Sequence, residues 1–172
     1  MKEFKILSPT AILGYGFPQK SFMEGMKRKP DVIAIDAGST DPGPYYLGSG
    51  KSFTNRDAVK RDLNIIMENS IKNHIPLIIG TAGGSGGEIH LNWCKEIIYE
   101  IAKEKNLQFK LAIIHSQLPK EIIKKALKEN KISPLGPVPP FTEEIIDETT
   151  AIVGQMGVEP FLKALDENVD II

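Results

Sequence analysis

The chain alternates short apolar runs with longer stretches in which apolar residues recur at helical spacing, the pattern of βαβ units around a mostly parallel sheet. A first strand is expected over residues 4–8, then a loop rich in turn formers through Pro18 and a short helix with Phe22, Met23 and Met26 on one face. The run Asp31-Val32-Ile33-Ala34-Ile35-Asp36 is continuous and β-branched, as in a strand covered on both faces. Residues 37–53 hold four glycines and two prolines and predict no regular structure, and connections of that length are commonly functional or disordered. Thr54 is then expected to open a helix, with Asp57 three residues on in a variant of the capping box. Its apolar face is Val59, Leu63, Ile66, Met67 and Ile71.

Pro76 introduces a third strand, Leu77-Ile78-Ile79-Gly80, which runs into Gly83-Gly84-Ser85-Gly86-Gly87. A helix from about Glu88 repeats apolar residues at Trp93, Ile97 and Ile101 and at Cys94 and Ile98. A fourth strand is expected over residues 110–115, with Pro119 near the start of the next helix, where proline is well tolerated. Prolines 134, 137, 139 and 140 make a stiff connection. Thr142-Glu143-Glu144 then caps and charges a helix whose face is Ile145, Ile146, Thr149, Ile152 and Val153. After Pro160 a short helix leads into Val169-Asp170-Ile171-Ile172, which reads as a buried strand. The expectation is a single α/β domain over residues 1–172: a mostly parallel, Rossmann-like open sheet with helices on both faces. A chain that stops on a buried strand further suggests the N-terminal part of a longer protein.

Composition narrows the classes. A length of 172 residues suits one domain with a sizeable core. The net charge of −1 lacks the basic excess of a nucleic-acid binder, and 41% hydrophobic with 25% charged residues excludes global disorder. No apolar run approaches the ~20 residues that cross a bilayer, and the charged N-terminus does not read as a secretory signal. Neither a membrane nor a nucleic acid is expected as a partner, and the cytoplasm is the expected compartment. A single cysteine, Cys94, forbids an internal disulfide and a cysteine-built zinc site. His74, His90 and His115 could ligate a metal only with carboxylate help, so none is expected, and no cofactor is named by the sequence.

In an open parallel sheet, ligands bind outside the carboxyl ends of the strands. Loops 9–17, 37–53, 81–87 and 116–119 should therefore face one crevice, and the unusual composition falls in them. The cluster Gly83, Gly84, Ser85, Gly86 and Gly87 follows a strand and opens a helix, where bare amides and the helix dipole favour an anion. The alternative is a tight turn with no ligand. It is not a dinucleotide fingerprint, since Ile89 stands where the third glycine belongs. Gly48-Ser49-Gly50-Lys51-Ser52 imitates the end of a P-loop but has Tyr45 where the first glycine is needed. Lys51 remains as a point charge for the anion, and Ser39 and Thr40 join the binding set. Asp36, Asp41 and His115 are the candidates for proton transfer. The rival readings are turn chemistry for both aspartates and a backbone-bonded buried ring for His115. His90 is either a core histidine or a ligand contact, His74 a capping or surface residue, and Cys94 a small hydrophobe.

Taken together, Ser8-Pro9-Thr10 with Gly14-Tyr15-Gly16-Phe17, the run from Asp36 through Asp41-Pro42-Gly43-Pro44-Tyr45-Tyr46 to Gly50, and Gly80-Thr81-Ala82-Gly83-Gly84-Ser85-Gly86-Gly87 resemble the acyclic terpene utilisation (AtuA-like) family. Leu135-Gly136-Pro137-Val138-Pro139-Pro140 and Gln155-Met156-Gly157-Val158-Glu159-Pro160-Phe161 are similar to it too. The resemblance covers essentially the whole chain and implies catabolism of branched acyl or other small carboxylic acids, free or as coenzyme A thioesters. Members are usually longer, which implies an N-terminal portion. No catalytic residue comes with the resemblance, so the site residues rest on loop position. The expected function is a catabolic enzyme, or half of one, that binds a small anion at the glycine turn. The alternatives are a non-catalytic substrate-binding subunit and a P-loop-like nucleotide binder. Self-association or a further C-terminal domain is left open.

Overall fold

The computed structural model describes residues 3–38 and 44–172. Three parallel strands form the centre in the order β1 (Ile6–Leu7), β2 (Val32–Asp36) and β3 (Leu77–Gly80). Ile6 lies opposite Val32, Ile33 opposite Leu77 and Asp36 opposite Gly80. Around them run α1 (Gln19–Lys27), α2 (Tyr45–Ser49), α3 (Arg56–Asn73), α4 (Glu88–Lys105), α5 (Lys120–Lys128), α6 (Glu143–Glu148) and α7 (Glu159–Asp166). The fold is α/β.

One core joins the strands to the long helices. Ile33 and Ile35 of β2 and Leu77 and Ile79 of β3 meet Val59, Leu63, Ile66 and Met67 of α3 and Ile97, Ile98 and Ile101 of α4. Burial of each such side chain stabilises by roughly 1.5–3 kcal/mol over exposure. The helical period places these residues on one face of each helix, and ion pairs of Arg56 and Lys60 with Glu100 lie outside that face.

Several boundaries differ from expectation. Asn55, not Thr54, caps α3, its side chain accepting from the Asp57 and Ala58 amides, because its oxygen reaches both orphan donors. Residues 37–53 are not wholly irregular: Pro44, which fixes its own φ, precedes the short helix α2. The face expected to run on to Val153 stops with α6 at Glu148, and Val153 pairs antiparallel with Gln117. The expected fourth strand is reduced to a bridge at Leu111, because its partner is the short segment 170–172. That segment lies between β3 and residues 110–112: the Leu77 amide donates to Asp170 O at 2.9 Å and the Ala112 amide to Ile171 O at 2.9 Å. All these segments run parallel, so their carboxyl ends share one rim. Among the described residues no helix is long and apolar enough to cross a membrane.

Candidate functional site

Parts of three of the expected loops pack at that rim, loop 9–17 through backbone donors. In loop 9–17 the Leu13 amide donates to Asp36 O at 2.8 Å. The Gly14 and Gly16 amides donate to Asp62 Oδ2 at 2.9 and 3.0 Å. Asp62 is 1% exposed, and its other oxygen accepts from the Arg61 guanidinium at 2.9 Å. In loop 81–87, Gly83, Gly84 and Gly86 all have positive φ, and a methyl on Gly83 would fall on the His90 carbonyl. The segment 44–53 lies against α4's first turn: Gly50 packs on Ile89, and His90 Nε2 is 2.9 Å from Tyr46 O and 3.1 Å from Lys51 O. Since both partners are carbonyls, Nε2 carries the proton. His90 is thus a buried tie between two loops, with Nδ1 unpartnered among the described residues.

The candidate proton carriers fare differently. Asp36 accepts the Gly38 amide at 2.9 Å, closing its own turn, the chemistry short acidic side chains perform next to glycine. His115 is exposed and not deep in the crevice, and its Nδ1 sits 2.9 Å from Glu88 Oε2. Lys51 is joined to the site through its carbonyl, with its side chain outward. His74 ends α3 in a left-handed conformation, φ 54°. Asp41, Ser39 and Thr40 lie outside the described residues.

Below the rim, a cavity of about 90 Å³ opens between β3, α4 and residues 111–116. Ile79, Cys94, Ile98, Leu111, Ile113 and Phe161 make it mostly apolar, and Thr81, Ser116 and Lys95 add polar groups. A line of polar contacts runs beside it along α4. His115 meets Glu88, Asn92 Nδ2 lies 3.5 Å from Glu88 Oε1, and Lys95 Nζ donates to Asn92 Oδ1 at 2.6 Å. Ser116 Oγ donates to Gly86 O at 2.7 Å, which joins the glycine turn to the same wall. The Glu88 amide, the first helical donor of α4, is already taken by Gln117 Oε1 at 2.8 Å. Part of the expected anion cradle is therefore met by the chain's own amide, and the Glu88 carboxylate faces the same helix end.

No family model, curated protein or solved structure matches the chain. The site is therefore read from its geometry. Among the described residues no three His, Cys, Asp or Glu side chains are grouped to hold a metal ion.

Lys95, Asn92, Glu88 and Asp62 escaped the reading by loop position because they lie on helices. A signal was present for two of them. Leu91, Cys94, Lys95 and Ile98 share one helical stripe, as do Val59, Asp62, Leu63 and Ile66, and each stripe contains one charge.

Cys94 lines the cavity wall at 1% exposure. Burial pushes its thiol up to about 12, with the Gly83 amide acting in the opposite direction. The folded chain holds it protonated, so the associated stability is complete below the thiol's unfolded range and is lost as pH rises toward about 12. Iodoacetamide at about pH 8 is expected to leave native Cys94 unmodified and to label it in denaturant, as read by mass spectrometry.

Proposed function

We propose that the chain is a catabolic enzyme, or the N-terminal half of one, acting on a small or branched carboxylic acid or its coenzyme A thioester. The observation that carries this reading is the small apolar cavity at the carboxyl end of the sheet, bordered by polar groups on one side. A partly open apolar space with few polar groups suits an acyl tail and fixes the orientation of its polar head. His115 is the proton carrier best supported, because the Glu88 carboxylate, 2.9 Å from its Nδ1, orients its ring. Asp41 keeps its place as a second candidate. The resemblance of the loops to the AtuA-like family agrees with the same substrate class. The Asp36 turn favours a second reading, a substrate-binding subunit without chemistry, since it occupies one of the candidate bases in structure.

Thermal shift with 3-methylbutanoate, acyl-CoA thioesters and ATP–Mg²⁺ tests the first step. A ligand at about 100 times its Kd adds about 2.7 kcal/mol, or roughly 5–10 °C for a chain of this size. Ile98→Trp, which fills the cavity, is expected to abolish the acyl shift. A shift with ATP–Mg²⁺ alone overturns the reading. With a turnover assay, His115→Ala is expected to slow the reaction roughly 10²–10⁴-fold while leaving binding intact. Unchanged rates in His115→Ala and Asp41→Asn select the binding subunit.

A further inference from the structure

We infer that Lys95 is the anion anchor of the cavity: the ligand's carboxylate pairs with its ammonium while a short aliphatic tail fills the apolar interior. This rests on the reading that the cavity takes an acyl compound, and it moves the anion from the glycine turn to α4.

Lys95 stands in the stripe of α4 that lines the cavity, between Cys94 and Ile98, and is half-buried there. Its ammonium bonds a neutral acceptor, Asn92 Oδ1, at 2.6 Å. Of the other half-buried lysines, Lys60 lies 2.6 Å from Glu100 and Lys124 lies 2.6 Å from Asp147, while Lys120 donates to the Asp147 carbonyl at 2.8 Å and does not line the cavity. Among the described residues Lys95 is the one lysine or arginine that lines the apolar cavity, and no described carboxylate forms an ion pair with it. Charges drawn out of bulk water are normally paired, and an ammonium beside an apolar hollow is matched by an anion bearing a hydrocarbon tail. The glycine turn is the weaker host, because Gln117 caps the helix there and Glu88 repels a second anion. Volume limits the tail: about 90 Å³ is below the ~150 Å³ cavity that admits benzene. Only the acyl end of a thioester would enter. The stripe also sets length preference, since Ile98 lies one helical turn beyond Lys95 and bounds the space for the tail.

The test is calorimetric titration of the full chain with 3-methylbutanoate and its neutral isostere 3-methylbutanamide. Lys95→Met keeps the apolar stem and is expected to weaken the carboxylate roughly tenfold or more, leaving the amide within about twofold. Lys95→Arg is expected to retain most of the carboxylate affinity. Should Lys95→Met not fold, Lys95→Gln gives the same comparison. Carboxylate binding that survives loss of the charge overturns the inference and leaves the cavity reading intact. Equal losses of carboxylate and amide overturn it too, since they mark a packing role. Failure of both ligands to bind the unaltered chain overturns the cavity reading and the inference with it.

Discussion

Gly83→Ala is expected to cost about 3–5 kcal/mol, enough to leave a marginally stable domain largely unfolded at moderate temperature. Two effects add. The residue sits at φ 84°, where a side chain collides with its own backbone. A methyl there would also meet the carbonyl, carbon and Cα of His90, all backbone atoms inside a helical turn that cannot rotate away. Gly84→Ala separates the effects. Its φ of 115° imposes the same strain, but the nearest atoms are the Phe53 ring edge at 3.2 Å, a side chain with room to shift. About 1–2 kcal/mol is expected there. Gly136→Ala, with nothing within 4 Å and no positive φ, is the control, and is expected to be neutral or to stabilise by up to about 1 kcal/mol through the unfolded chain. Urea unfolding of the three variants reads the series, and a Gly83→Ala chain as stable as Gly136→Ala would sink this account of the strand–helix turn.

The same turn shows where sequence reasoning succeeds. Strand β2 and the apolar faces of α3 and α4 are legible because burial imposes a period, and the observed core uses Val59, Leu63, Ile66, Met67, Ile97 and Ile101 as the pattern predicts. The glycines of loop 81–87 are legible as a special backbone, since three of them take positive φ. Pairing is another matter. Residues 110–115 carry a strand-like run, but strand formation depends on a neighbour, and segment 170–172 is distant in sequence and short. The site follows the same division. Loop position brought 81–87 and 116–119 together, through Thr81, Ala82, Gly86 and Ser116 of the cavity wall, because chain direction in a parallel sheet fixes the rim, but not loops 9–17 and 37–53, which give the cavity none of its described lining. It did not reveal that Asp36 closes its own turn, that Glu88 holds His115, or that Lys95 lines the cavity, since each depends on a side chain's partner. A charge inside an otherwise apolar helical stripe is the one local clue, and it marks both Lys95 and Asp62.

Asp62→Ala is the second large effect expected, at about 3–4 kcal/mol in urea unfolding. The carboxylate is buried yet accepts the Gly14 and Gly16 amides with one oxygen and the Arg61 guanidinium with the other. Its removal leaves two amides of a glycine-constrained loop without acceptors, each costing roughly 1–3 kcal/mol. It also leaves the Arg61 cation beside a cavity, although Arg61 is 56% exposed and water replaces that partner. The loss should therefore fall on the glycine side. Asp62→Asn tests this apportioning. Its single oxygen can still accept from Gly14 and Gly16, which turns the amide nitrogen toward the guanidinium, so about 1–2 kcal/mol is expected. Arg61→Ala alone should cost under about 1 kcal/mol, and adding it to Asp62→Ala should cost almost nothing further, because the pair shares one interaction. Amide exchange at Gly14 and Gly16 locates the damage: protection lost there in Asp62→Ala but retained in Arg61→Ala makes Asp62 the tie that holds loop 9–17 at the rim. Equal loss in both would mean that the arginine, not the two amides, keeps the carboxylate in place.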